Sequence, residues 1–229
     1  MQPYMFPYIG YFQLIQAVDT FVFYDDVNFI KKGFINKNYI LNKEDKLAFV
    51  IPCKKISQNK KINETTLDFD KKAQLKLLKT LQQTYHKAPC YNSVYPMLED
   101  FILAQNRISI SKMAIDSVKL VCDYLEMDIN VKVSSTTFFE SVELKKEERL
   151  MEICKQLQAT TYVNAIGGQI LYDKSSFKEE GIDLKFLKPE PTTYKQYENE
   201  FVPWLSIIDV LMFNSKNQTL ELINNFKLV

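Results

Sequence analysis

From Ile129 to Leu187 the chain alternates short apolar runs with longer amphipathic ones, and this alternation restricts its fold more than any other feature. Ile129–Val133, Thr160–Ala165 and Leu184–Leu187 read as strands. Between them, Lys145–Gln158 sets Leu150, Ile153, Cys154 and Leu157 on one helical face, and Leu171–Glu180 reads as a helix stopped by Gly181. Strands separated by whole helices need crossover connections, which predicts parallel pairing. The expectation is an α/β fold with a mostly parallel central sheet, flanking helices and a helical insertion in the middle of the chain, in one domain over residues 1–229. That sheet is expected to contain Thr20–Tyr24, Ile129–Val133 and Thr160–Ala165.

The middle of the chain reads differently. Asn36–Leu41 and Lys46–Cys53 read as strands joined by a polar turn at Asn42–Asp45, and Pro52 ends the second or marks an edge. Ile62–Phe69 is a weaker candidate strand. Three helices follow: Lys71–Lys87, Tyr91–Gln105 and Ser111–Met127, the last with Ser109 or Ser111 as N-cap. Two more are expected near Leu205–Phe213 and Thr219–Phe226.

Composition excludes several functions. The 29 basic and 28 acidic residues leave a net charge of +1, so nothing draws the chain strongly to nucleic acid or to a charged membrane. The most basic run, Lys54–Lys61, reads as a solvated loop. No apolar run approaches the ~18 residues that span a bilayer, and no charged leader precedes an apolar stretch. The four cysteines are scattered with no CxxC pair, so no metal site is expected and the compartment reads as reduced and cytoplasmic. His86 is the only histidine and sits late in a helical pattern, a poor place for a nucleophile–His arrangement. GxSxG, HExxH and phosphate-loop motifs are absent.

The first forty residues carry most of the chemistry. Pro3 and Pro7 stiffen Gln2–Tyr8 into an ordered turn or extended loop, and Gly10 permits close backbone approach. Tyr11–Val18 reads as a short helix. Thr20–Tyr24 (TFVFY) reads as a buried strand that ends in Asp25 and Asp26, a favoured position for ligand-binding groups in open α/β sheets. These carboxylates can bind a metal, orient an amine or act as a base. Neighbours on an extended chain point to opposite sides, so one of the two is a turn former or ion-pair partner. Lys31, Lys32 and Lys37 can meet phosphate groups or remain surface lysines. Asn36 and Asn38 share one face of a strand, as a structural hydrogen-bond ladder or a polar pocket wall. Gly167-Gly168 follows a buried strand, with Asn164, Tyr172 and Asp173 around the same turn. Ser206 and Asp209 have capping spacing. Trp204, the sole tryptophan, reads as a core residue or a pocket wall, with the core favoured.

QPYMFPYIGYFQLI (Gln2–Ile15), FVFYDDVNFIKKGFINKN (Phe21–Asn38), YVNAIGG (Tyr162–Gly168) and FVPWLSIIDVLMFN (Phe201–Asn214) together resemble the WbqC-like protein family. The resemblance implies a few apolar residues ahead of Gln2, and arginines where this chain has Lys37 and Tyr39. It also implies a role in O-antigen or other surface-polysaccharide biosynthesis, as a glycyl or aminoacyl transferase acting on an amino sugar or nucleotide-sugar. Another sugar-nucleotide-modifying transferase, or a non-catalytic module binding a saccharide or a partner protein, remain alternatives. No cofactor is indicated. The expected site is one pocket. Asp25 and Asp26 are its candidate catalytic residues, and Gln2, Tyr4, Tyr8, Gly10, Lys31, Asn36, Asn38, Asn164, Gly167 and Gly168 its candidate binding residues.

Overall fold

The computed structural model describes residues 1–43, 45–104, 108–197 and 200–229. Gln105, at the end of the third expected helix, and Glu44, in the expected turn, lie outside them. Helix α1 (Ile9–Gln16) begins directly after the proline-stiffened loop and buries Gly10 to Ile15 without a break. Strand β1 (Phe21–Phe23) follows, then the hairpin of β2 (Lys37–Asn42) and β3 (Asp45–Val50). Helices α2 (Lys71–Tyr85), α3 (Tyr91–Leu103) and α4 (Ile110–Tyr124) fill the middle. Asp70 caps α2 by accepting from the Ala73 amide at 2.8 Å, and Ser109 caps α4 by accepting from Lys112 at 3.2 Å. These bonds satisfy amides that a helix start leaves without partners.

The second half runs β4 (Val131–Val133), α5 (Ser134–Thr137), α6 (Lys146–Gln156), β5 (Thr161–Ala165), α7 (Lys174–Glu179), β6 (Asp183–Pro189), α8 (Ile207–Phe213), α9 (Lys216–Ile223) and β7 (Phe226–Leu228). The fold is mixed α/β, but its strands are divided among three small sheets instead of one central one. β1 and β4 pair in parallel, β2 and β3 pair antiparallel, and β6 pairs with β5 in parallel and with β7 antiparallel. β5 therefore does not join β1 and β4. α1 packs against β5 and β6, and apolar groups of both elements enter the main core, which takes the face a continuous sheet would have extended across.

Two further expectations change. Ile62–Phe69 forms only isolated bridges, Thr66 to Ser109 and Leu67 to Cys53. The helix expected to reach Phe226 ends at Ile223, and after Asn224-Asn225 the chain turns back as β7 beside β6.

Burial follows the two-residue period of β5 and β6. Val163, Ala165 and Leu187 face the main core with α1, β1, the hairpin and the middle helices. Tyr162, Leu184 and Phe186 face the other way, onto Cys154 of α6 and Phe177 of α7. The sheet is thus covered on both faces, and Asn164 projects to the same side as Tyr162. Burying a side chain such as Phe177 contributes about 1.5–3 kcal/mol, which anchors the short helix α7 on the sheet.

Candidate functional site

Asp25 and Asp26 leave the end of β1 and are both buried. Their side chains find different partners. Asp25 Oδ1 accepts from the Ser134 hydroxyl (3.2 Å) and the Ser135 amide (3.1 Å), and Oδ2 from the hydroxyls of Ser111 (3.1 Å) and Ser135 (3.0 Å). The single Ser134 hydrogen is shared with Asp26, so the Ser135 amide and the Ser111 and Ser135 hydroxyls are the donors given wholly to Asp25. The arrangement arises because β4, parallel to β1, runs straight into the Ser134–Thr137 turn, so the first amides of that turn face the end of β1. Asp26 accepts from Ser134 (2.6 Å) and from Arg149 Nη2 of α6 (2.5 Å), an ion pair with both side chains under 5% exposed. Burial alone would raise the Asp26 carboxyl, but the Arg149 and Ser134 bonds outweigh it and hold it below the usual carboxylate range.

Arg149 packs against the end of the first block. Its guanidinium carbon lies 4.8 Å from the centroid of the Tyr24 ring, and Nε donates to Ser141 at 3.3 Å. Burial raises the Tyr24 hydroxyl, Arg149 offsets part of that, and the nearby Tyr172 adds to the rise electrostatically. Tyr172 is bonded by the Asn164 side chain, whose Oδ1 accepts from the Ala165 amide at 2.8 Å. Gly168 packs against the pair: a Cβ there would lie 2.8 Å from Asn164 Nδ2. Gly167, by contrast, has open space around it. Residues near 25, 134, 149, 164 and 172 thus converge, although β1 and β5 belong to different sheets.

The remaining candidates from the first block lie around a second centre, the Phe6 carbonyl. It accepts from Asn38 Nδ2 (2.6 Å) and from the Ser206 hydroxyl (2.7 Å). Asn38 also donates to Met5, and Asn36 donates to the Ile51 carbonyl at 2.9 Å, so both amides are spent on backbone. The Gln2 carbonyl accepts from the buried Tyr11 hydroxyl, and the Tyr4 hydroxyl accepts from the Tyr8 amide at 3.3 Å. Gly10 lies under the Tyr8 ring, where a Cβ would come within 2.4 Å of ring carbon. Lys31 is exposed. Trp204 is not in the core: it is 66% exposed, with its ring centroid 5.9 Å from that of Tyr8.

Sequence reasoning did not single out Arg149, Ser134 or Ser135. A signal for Arg149 was present: only two of the 29 basic residues are arginines, Arg107 and Arg149, and Arg149 precedes Leu150 on an amphipathic helix. Asp209 is a second surprise. It does not reach back to the Ser206 cap; fully buried, it accepts from the hydroxyls of Tyr85 (2.8 Å) and Tyr194 (2.7 Å) and from Gln196 Nε2 (2.6 Å). Burial raises its carboxyl, and those three bonds offset only part of the effect.

His86 is the exposed C-cap of α2, and all four cysteines are free. Among the described residues, no group of three or more His, Cys, Asp or Glu is placed to hold a metal ion, and no helix is long and apolar enough to cross a membrane. Two small, open concavities lie elsewhere: one of about 200 Å³ beside Phe69, Gln74 and Met113, another of about 240 Å³ beside Phe21, Ile129 and Asn130. None of the candidate site residues lines either one.

A profile of the WbqC-like protein family matches residues 2–221. The chain is also similar to the uncharacterized protein Rv1507c of Mycobacterium tuberculosis (strain ATCC 25618 / H37Rv), 29% identical over 210 residues, 91% of this chain and 89% of the relative. No solved structure matches it.

Proposed function

The chain belongs to the WbqC-like protein family, and from that premise we propose that it is a cytoplasmic enzyme of surface-polysaccharide biosynthesis that transfers a glycyl or other aminoacyl group onto the amine of an amino sugar or sugar nucleotide. The observation that carries this reading is the buried Arg149–Asp26 pair beside Tyr24, whose hydroxyl lies within electrostatic reach of Tyr172, the residue grouped with Asn164 and Gly168. Amide formation needs a base for the amine and donors for the developing oxyanion. The amine nitrogen bonds the acyl carbon, the leaving group departs with its electron pair, and the nitrogen loses a proton. Ser135 is half-buried and donates to Asp25, so its hydroxyl can relay that proton to the carboxylate. Arg149, oriented by Asp26, and the Tyr24 hydroxyl beside it are the candidate oxyanion donors.

The test is incubation with nucleotide-linked amino sugars and activated glycine, read by mass spectrometry. A mass gain of one glycyl residue is expected with the native chain, and none with Asp25→Asn judged folded by circular dichroism. A different adduct would make the chain another sugar-modifying transferase. Sugar binding without any turnover would make it a binding module. Full activity in Asp25→Asn would remove Asp25 from the mechanism.

A further inference from the structure

The reaction centre around Arg149 leaves one conspicuous surface without a role. Trp204 is 66% exposed and its backbone is left-handed, with φ 62°. Such a conformation is unfavourable for a non-glycine residue, and it is held here on an indole left in water. The segment is locked in place. The Ser206 amide donates to the Tyr39 carbonyl and the Ile207 amide to the Pro7 carbonyl, both at 2.8 Å. The Ser206 hydroxyl bonds Phe6, itself left-handed at φ 41°. Three segments distant in sequence are therefore tied together by backbone bonds, and they fix the rings they carry.

Those rings form a strip. Tyr8 lies beside Trp204, inclined at 51°, and its amide bonds the Tyr4 hydroxyl. Tyr4 lies 6.0 Å from Phe34, which is 54% exposed, and Phe34 lies 6.3 Å from Tyr39. Of these rings Trp204 and Phe34 are exposed, and Tyr4, Tyr8 and Tyr39 are half-buried beside them. The Lys37 ammonium lies 4.7 Å from the Tyr39 centroid. The turn closed by the Gly33 amide on the Ile30 carbonyl puts Lys31 and Lys32 at its exposed corner, and neither forms an ion pair among the described residues. Residues 1–16, 27–42 and 201–207, which supply the strip, contain these three lysines and no aspartate or glutamate.

We propose that this strip is a nucleoside-diphosphate subsite, with the base stacked on Trp204 beside Tyr8 and the diphosphate met by Lys31, Lys32 and Lys37. The inference rests on the reading of the acceptor as a sugar, and adds that the sugar arrives nucleotide-activated. Exposed aromatic rings such as Trp204 suit any base, because every base offers a π-face. The lysines act as point charges for phosphate, a use that a neutral sugar alone does not give them.

Trp204 is the only tryptophan, so fluorescence of the full chain reports on the subsite directly. The probes are UDP, ADP, uridine, pyrophosphate and glucosamine. Both nucleoside diphosphates should quench Trp204 and shield it from acrylamide, uridine should bind at least about tenfold more weakly, and pyrophosphate and glucosamine should leave the emission unchanged. Lys31→Ala/Lys32→Ala, at exposed positions that do not endanger folding, should weaken UDP about tenfold and flatten its salt dependence. Calorimetry with Trp204→Ala should show UDP binding lost. Quenching by glucosamine alone, no quenching by either diphosphate at millimolar concentration, or unchanged UDP affinity in both variants would overturn the subsite. UDP binding without acyl transfer keeps the subsite and removes the transferase reading. Transfer with an unchanged KM in Trp204→Ala does the reverse.

Discussion

Asp26 and Asp209 are both buried carboxylates, and they differ in what surrounds them. Asp26 has a cation, Arg149, at 2.5 Å, and its carboxyl lies below the usual range. Asp209 has three neutral donors, and burial keeps its carboxyl above that range. The first centre joins β1 to α6 and lies next to the Tyr172–Asn164 rim. The second ties α2 and the 194–196 segment to α8. Hydrogen bonds without a countercharge can fix a buried carboxylate in position, but a nearby cation is what keeps it ionised.

The largest effect should come from removing that cation. Arg149→Met leaves Asp26 buried and unpaired, which should cost about 3–5 kcal/mol in urea unfolding. Adding Asp26→Asn to Arg149→Met should recover much of the loss, because the stranded charge is gone. If the double variant is no more stable than the single one, the pair is not the unit that matters.

At the other centre, Asp209→Asn presents an amide hydrogen to donors that have nowhere else to go. The Gln196 amide cannot simply turn over, because its Oε1 already accepts from the Val202 amide at 2.7 Å. The expected loss is about 1–3 kcal/mol, smaller than for Arg149→Met because no charge is stranded. A loss exceeding that of Arg149→Met would invert the comparison.

The two centres should also bend the pH dependence of stability in opposite directions. The Asp26 carboxyl is lower in the folded chain than in the unfolded one. Its contribution is present above the unfolded value of about 3.9 and is lost as pH falls through the folded value. Asp209 is raised, so the folded chain keeps a proton that the unfolded chain has released. Its contribution is greatest below about pH 3.9 and shrinks as pH rises toward the folded value. Urea midpoints across this range should lose the acid-side slope in the Arg149→Met/Asp26→Asn variant and the rising-pH decline in Asp209→Asn. Parallel profiles for both variants would show that neither carboxyl is shifted as described.

The same contrast explains what could be read in the sequence. Local patterns carried the elements: α1, the β2–β3 hairpin, the Ser109 cap and the alternation of β5, α7 and β6 all follow from periodicity and capping chemistry. Two adjacent aspartates after a buried strand marked the first centre. What the pattern could not contain was pairing across long separations. Nothing local tells β1 to leave β5 for another sheet, or Phe226 to form a strand against β6 instead of extending α9. Nor does spacing reveal that Asp209, three residues after a helix cap, turns toward Tyr85 and Tyr194. Trp204 looked like core because large apolar residues usually are. Its placement follows from bonds that the neighbouring Ser206 hydroxyl, Ile207 amide and Ser206 amide make to the carbonyls of Phe6, Pro7 and Tyr39, the first two some two hundred positions away.

The smallest predicted effect distinguishes two adjacent glycines at the rim of the first centre. Gly167-Gly168 looks like one motif in the sequence, yet the two positions meet different surroundings. A Cβ on Gly168 would sit 2.8 Å from Asn164 Nδ2 and 3.4 Å from Tyr172 Cε2. Asn164 cannot easily move aside, since its Oδ1 holds the Ala165 amide and its side chain bonds Tyr172. Gly168→Ala should therefore cost about 1–3 kcal/mol and displace Tyr172 from Tyr24. Gly167 has nothing within 4 Å of its would-be Cβ and no left-handed φ to protect. Gly167→Ala should stay within about 0.5 kcal/mol of the native chain, or stabilise it slightly by restricting the unfolded state. Urea unfolding of the two single variants decides the matter. Equal losses would mean that the turn needs glycine for its backbone; a silent Gly167→Ala beside a costly Gly168→Ala would place the constraint on the packing of Asn164 and Tyr172.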